Sequence, residues 1–310
     1  MGMDRSADAT QGHFPDFIII GAAKSGTTTL YEYLRRHPAI FMAVAESPKV
    51  RNKEPNFFDP AEHWHLGVDW YRSLFAGASA DQLCGEASTN YTRWPQVDGV
   101  PERIASIAPE VRLIYLMRHP VERAYSHYVH RHTREIHPGR PISNPFERFV
   151  EEHPMCVDSS DYATQIARYL EFFDREAILL LRMEDLQSDP GRVVQRTTEF
   201  LGIEADPGSL TDEPLIANVG GVSEAVLRAH VMAPLRSNPF MRRIADALPS
   251  GIRDGLWKLL RSSPYGRAQR EQYSAPPMLP ETRGALLDRF RESNRILRDE
   301  FGVDTSGWDR

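Results

Sequence analysis

The residues with the plainest chemical purpose are gathered between 21 and 29: Gly21, Ala22, Ala23, Lys24, Ser25, Gly26, Thr27, Thr28 and Thr29. Small residues let a backbone approach a phosphate closely. A helix starting where such a loop ends turns unpaired N–H groups and the positive end of its dipole toward an anion. Lys24 adds a full charge, and Ser25, Thr27 and Thr28 add hydroxyl donors. Gly21 and Gly26 have the spacing of the nucleoside triphosphate loop G-x-x-x-x-G-K-[ST]. Thr27, however, stands where that loop carries its lysine, and Lys24 lies inside the loop. A metal-dependent NTPase also needs an acidic ligand at the end of a neighbouring strand. The corresponding position here holds Arg118, followed eight residues later by Ser126. Cations where a metal ligand belongs point to direct phosphate binding without magnesium.

These groups need a scaffold, and the hydrophobic pattern supplies one. Residues 17–20, 112–117 and 177–181 are short apolar runs of the kind found in parallel strands covered on both faces, and 83–87 reads as a further strand. Helical spacing predicts helices over 27–36, 67–75, 101–107, 120–131, 161–173 and 189–200, the last closed by Gly202. With Pro48, Pro55 and Pro60, residues 41–60 read as irregular, and 132–145 as a polar loop. Alternating strands and helices predict an α/β protein: a P-loop-like three-layer fold with a central parallel sheet flanked by helices. Arginine-rich amphipathic helices near 223–234, 238–248, 251–261 and 281–301 would form a helical C-terminal cover. The expected organisation is a disordered leader at 1–14 and one domain over 15–310, divided into an α/β core at 15–210 and the mainly helical part at 211–310.

Within this frame two segments resemble a known family. The stretch Ile18 to Leu34, IIIGAAKSGTTTLYEYL, resembles the 5′-phosphosulfate loop of sulfotransferases that use 3′-phosphoadenosine 5′-phosphosulfate (PAPS), especially the branch with the heparan sulfate sulfotransferases and bacterial relatives. Leu113 to Tyr128, LIYLMRHPVERAYSHY, resembles that family's 3′-phosphate motif. The resemblance implies that Lys24 contacts the transferring sulfuryl group and bridging oxygen. Ser25, Gly26, Thr27 and Thr28 would cradle the 5′-phosphosulfate, and Arg118 and Ser126 would bind the 3′-phosphate. KEPNFFD, Lys53 to Asp59, resembles the segment carrying the family's proposed base, which implies Glu54 in that role. GEASTNY, Gly85 to Tyr91, resembles the segment after it. Heparan-type enzymes commonly carry lysine where this chain has Ala87 and often histidine where it has Asn56; the donor motifs are untouched by either departure. The implied reaction is in-line, metal-independent transfer of a sulfuryl group to a hydroxyl or amine of a carbohydrate or small molecule, releasing 3′,5′-adenosine bisphosphate (PAP).

Composition bounds the rivals. A net charge of −6 calls for neither nucleic acid nor an anionic membrane as partner, so an anion site must be local. Of 37 basic residues only four are lysines, and Lys24, Lys49 and Lys53 lie within thirty residues of one another. Two cysteines form no disulfide framework or zinc quartet. The polar N-terminus lacks a signal peptide's apolar run, and no stretch approaches a membrane span. A cytoplasmic enzyme without a metal is therefore expected, although His127, His130 and His132 lie close together. The alternatives are a P-loop kinase or NTPase, against which the position of Lys24 speaks, and a non-catalytic nucleotide-binding protein.

Overall fold

The β-branched run FIIIG forms the central strand of the molecule. In the computed structural model, which describes residues 14–47, 50–135, 144–204, 255, 257–259, 262–265, 267–268 and 274–310, this strand β1 (Phe17–Gly21) is buried along its whole length. It lies between β5 (Leu83–Ala87) and β6 (Arg112–Met117). Beyond them come β2 (Ile40–Met42) and β7 (Ile178–Arg182), giving a five-stranded parallel sheet of order β2-β5-β1-β6-β7.

Strand alternation sends side chains to opposite faces, and the two cores follow it. On one face Ile18, Ile20, Leu113, Tyr115, Met117, Ile178 and Leu180 pack with apolar residues of α2 (Gly67–Ser73), α3 (Val100–Ile107), α7 (Tyr162–Leu170) and α10 (Pro280–Phe301). On the other, Phe17, Ile19, Ile114, Leu116 and Leu181 meet α1 (Thr27–Arg35), α8 (Met183–Ser188) and α9 (Pro190–Leu201). Each buried Ile or Leu contributes about 1.5–3 kcal/mol. This is the three-layer α/β architecture that the alternation predicts. Helix α9 is bounded as its sequence implies: Asp189 accepts from the Arg192 N–H, and Gly202 ends it at φ 71°.

The structure also departs from several expectations. Residues 45–47 and 50–52 are not irregular but form an antiparallel pair, β3 (Ala45–Ser47) and β4 (Val50–Asn52). Three-residue strands are too short to leave an alternation in the sequence. Helix α4 (Pro120–Glu135) runs past 131, shortening the expected loop, while α5 (Phe146–Glu152), α6 (Met155–Asp158) and α8 lie in stretches where the spacing predicts no helix. The leader at 1–13 and the helices expected near 223–234 and 238–248 lie outside the described residues. Of the one near 251–261, residues 255 and 257–259 are helical.

Two compact units share the chain. The first comprises Met1–Ala124, Met155–Ala217 and Ala285–Arg310 and contains the sheet; the second comprises Tyr125–Pro154 and Asn218–Gly284. Within the second, Tyr125, Tyr128, Phe146 and Phe149 form an aromatic cluster, and the Tyr128 hydroxyl donates to the Asn144 carbonyl at 2.7 Å.

Candidate active site

From β1 the chain turns first to the β2–β5 side of the sheet and later to the β6–β7 side. Open α/β sheets bind ligands at such a switch point, beyond the carboxyl ends of their strands. The loop with Lys24 sits there, after β1. Register shifts between Ile19 and Gly21, and the Ala22 N–H donates to the Leu116 carbonyl at 2.7 Å, bending the loop over β6. A Cβ at Gly21 would lie 2.0 Å from the Thr92 hydroxyl oxygen, so only glycine lets the turn after β5 close on the loop.

Lys24 (φ 72°) and Gly26 (φ 89°) are both left-handed, with Ser25 between them. Such alternation turns successive N–H groups toward one side and makes an anion cradle. Helix α1 starts from Gly26 with no side-chain cap; the Thr29 N–H donates to the Gly26 carbonyl at 2.9 Å, which leaves the first-turn donors of Thr27 and Thr28 for a ligand. The buried Ser25 hydroxyl makes no hydrogen bond of ordinary geometry, although it lies close enough to Tyr162 to favour that phenol's ionised form. An uncapped helix, an orphaned hydroxyl and a half-buried lysine together fit an anionic nucleotide end.

Arg118 leaves the carboxyl end of β6, half-buried, and its guanidinium makes no hydrogen bond or ion pair among the described residues. Its backbone is fixed on both sides by one phenol: Tyr162 donates to the Arg118 carbonyl at 2.7 Å and accepts from its N–H at 3.3 Å. Burial pushes Tyr162 up to about 12, with the charge of Arg123 pulling it down. Ser126 is half-buried on α4, in the second unit.

Glu54 lies over the neighbouring carboxyl end, that of β5. Its Oε2 accepts from Thr89 Oγ1 at 3.1 Å, and Lys53 Nζ is 3.2 Å from its Oε1. The next residues anchor it: Phe57 stacks on Tyr71 with centroids 4.3 Å apart, and Phe58 meets Tyr91 edge-on. The structure thus brings Lys24, Ser25, Gly26, Thr27, Thr28, Arg118 and Glu54 to one end of one sheet.

Two arginines were not singled out in the sequence. Arg123 is fully buried and donates to Ser160 Oγ at 2.5 Å, to the Ala23 carbonyl at 3.3 Å and to the Cys156 carbonyl. These partners are all neutral, and one of them belongs to the loop. Burial lowers the pKa of Arg93, against which the charge of Glu54 acts most strongly; nearby Arg123 adds to the lowering. A chain with 33 arginines gives no signal to separate these two from the rest. Among the described residues no group of three or more His, Cys, Asp or Glu could hold a metal.

Fold and site together define a P-loop-like α/β protein with an anion-cradling loop at the end of its sheet. The family model for the sulfotransferase domain matches residues 14–225, and the chain belongs to that family. The bifunctional heparan sulfate N-deacetylase/N-sulfotransferase 4 of Mus musculus is 32% identical over 210 residues, covering 64% of this chain and 23% of that protein. Enzyme 3 of the same name from Homo sapiens is 30% identical over 212 residues, with the same shares covered. The aligned part is thus about a quarter of either relative. Among solved structures, a sulfotransferase from Alicyclobacillus acidocaldarius superposes with a TM-score of 0.62 at 24% identity, covering 96% of this chain and 100% of that one, a likeness of fold.

Proposed function

We propose that the chain transfers a sulfuryl group from PAPS to a hydroxyl or amine of a carbohydrate or small-molecule acceptor. The observation that carries this reading is the shared end of the sheet, which gathers a left-handed lysine loop, a carboxylate and an arginine whose guanidinium makes no hydrogen bond or ion pair among the described residues. Bound there, the donor supplies an activated sulfuryl group. Lys24, Ser25, Gly26, Thr27 and Thr28 hold its 5′ end; the ammonium of Lys24 stabilises charge that builds on the bridging oxygen. Arg118, with Ser126, holds the 3′-phosphate; a guanidinium suits a doubly charged phosphate because it can donate two parallel hydrogen bonds. Glu54 takes the acceptor's proton. The segments near 42–66 and 132–160 contact the acceptor. Neither cysteine is in a disulfide and both are buried, and no helix among the described residues is long and apolar enough to cross a membrane. We assign the reaction to the cytoplasm, within one catalytic domain over 15–310.

The test is a metal-free transfer assay with labelled PAPS against sugars, aminosugars, phenols, lipids and secondary metabolites. The expected result is transfer to one class, with Glu54→Gln lowering kcat about 100-fold or more while PAP affinity holds. A wild-type chain that binds PAP and transfers to none of them contradicts the reading.

A further inference from the structure

Glu54 is held by the segment it rides on, and that segment converges on a second carboxylate. Glu86, in β5 beside Ile18 of β1, has no exposed surface. Its Oε1 accepts from the hydroxyls of Tyr71 at 2.9 Å and Tyr91 at 3.0 Å, and its Oε2 accepts from Ser88 Oγ at 2.6 Å. A hydroxyl has one proton; once that is given to a carboxylate, its lone pairs face elsewhere. Here they face the backbone that follows Glu54. Ser88 Oγ accepts the Asn56 N–H at 2.8 Å, and the Tyr91 oxygen accepts the Phe58 N–H at 3.2 Å. Tyr71, the third donor, is the ring that stacks on Phe57. Two main-chain amides of the segment over 54–59 therefore depend on the direction in which the Ser88 and Tyr91 hydroxyls point.

We propose that Glu86 is the positioning residue of the base: its carboxylate sets the hydroxyls of Ser88 and Tyr91, and through them fixes the segment that holds Glu54 at the carboxyl end of the sheet. This deepens the reading of Glu54 given above and rests on it. Nothing places Glu86 in contact with donor or acceptor; it acts through Glu54.

The arrangement predicts a pH signature. Burial raises Glu86 to about 7 against the three O–H donors, and the charge of Glu54 acts in the same direction as burial. The groups facing it are Tyr71 from α2, Tyr91 from the turn after β5, Tyr169 from α7 and Glu54; no cation is among the causes of its shift. Above pH 7 the carboxylate is ionised and accepts all three hydrogen bonds. Below it the carboxyl must donate its own proton, a hydroxyl has to turn, and the backbone amide it served loses its acceptor. Transfer then falls on the acid side, in kcat.

The test uses the full chain, labelled PAPS and the acceptor found in the transfer assay, with difference infrared spectra of the protein as a second readout. The expected results are a buried-carboxyl band that titrates near pH 7 in the wild type and is absent in Glu86→Gln, whose kcat falls about 100-fold. PAP affinity should stay within about twofold, and the acid limb should vanish. Ser88→Ala and Tyr91→Phe, which remove one relay each, should lower kcat about tenfold at unchanged PAP affinity, and they decide the matter if Glu86→Gln does not fold. Transfer that survives Glu54→Gln overturns the base and this proposal with it. Transfer lost in Glu54→Gln but kept at wild-type kcat in Glu86→Gln, or in both relay variants, overturns only the proposal. So does the lack of a carboxyl band titrating near pH 7.

Discussion

Lys24 holds a backbone conformation that its side chain disfavours. At φ 72° an ordinary residue loses about 1–2 kcal/mol relative to the right-handed region, whereas glycine is at ease there. Strain of this kind clusters where geometry serves a ligand, and the left-handed turn is what faces the N–H groups of the loop toward one side. Stability and activity should therefore separate at this position. Lys24→Gly should fold at least as stably as the wild type, by urea denaturation, with a gain of up to about 1 kcal/mol, while transfer falls about 100-fold or more. Loss of stability beyond about 1 kcal/mol would show that the lysine is there for the fold. Behind the loop, Arg123 is a buried charge that donates to a hydroxyl and two carbonyls. Such a charge is costly by itself, and an anionic ligand at the loop would offset it.

At the scale of elements, the C-terminal helix reaches the site through one line of contacts. Helix α10 buries Leu286, Phe290, Ser293, Asn294 and Leu297, a stripe at helical spacing, and Ser293 Oγ accepts the Ala163 N–H at 3.0 Å, tying it to α7. The tail beyond it buries Trp308 against Tyr162, with centroids 5.8 Å apart. Tyr162 in turn holds the backbone of Arg118 by donating to its carbonyl and accepting from its N–H. Trp308→Ala should destabilise the chain by about 3–5 kcal/mol in urea denaturation and weaken PAP more than 5′-AMP, which lacks the 3′-phosphate. An equal loss for both ligands, measured below the unfolding range, would detach the tail from the Arg118 site. None of this line is visible in sequence: Trp308 sits in a polar tail, and nothing local relates it to a phenol 146 residues earlier.

Across the whole molecule, legibility followed locality. The strands at 17–21, 112–117 and 178–182 announce themselves because a buried parallel strand is a nearly unbroken apolar run. The loop at 21–26 is legible because its glycine spacing and lysine lie side by side in the chain. The short strands and short helices are not, since they carry too few residues for a period to repeat. Glu86 reads as an ordinary acid in a half-apolar strand; only the sheet and the surrounding tyrosines reveal it as a buried carboxylate. Arg123, likewise, is one basic residue among 37 until the fold closes over it. Family membership supports the donor role proposed for the two motifs, while the proposed acceptor would depend on segments that vary freely on a common scaffold.

What unites these scales is the proposal that one nucleotide is held at its two phosphate ends by Lys24 and by Arg118. Calorimetric titration with PAP, 5′-AMP and 3′-AMP tests this directly, in the wild type, Arg118→Ala and Lys24→Gly. The account predicts that PAP binds the wild type about 10–100-fold tighter than either mononucleotide. Arg118→Ala should erase the advantage of PAP over 5′-AMP, and Lys24→Gly that over 3′-AMP. Equal binding of all three ligands by the wild type, or an Arg118→Ala variant that weakens PAP and 5′-AMP alike, would contradict it.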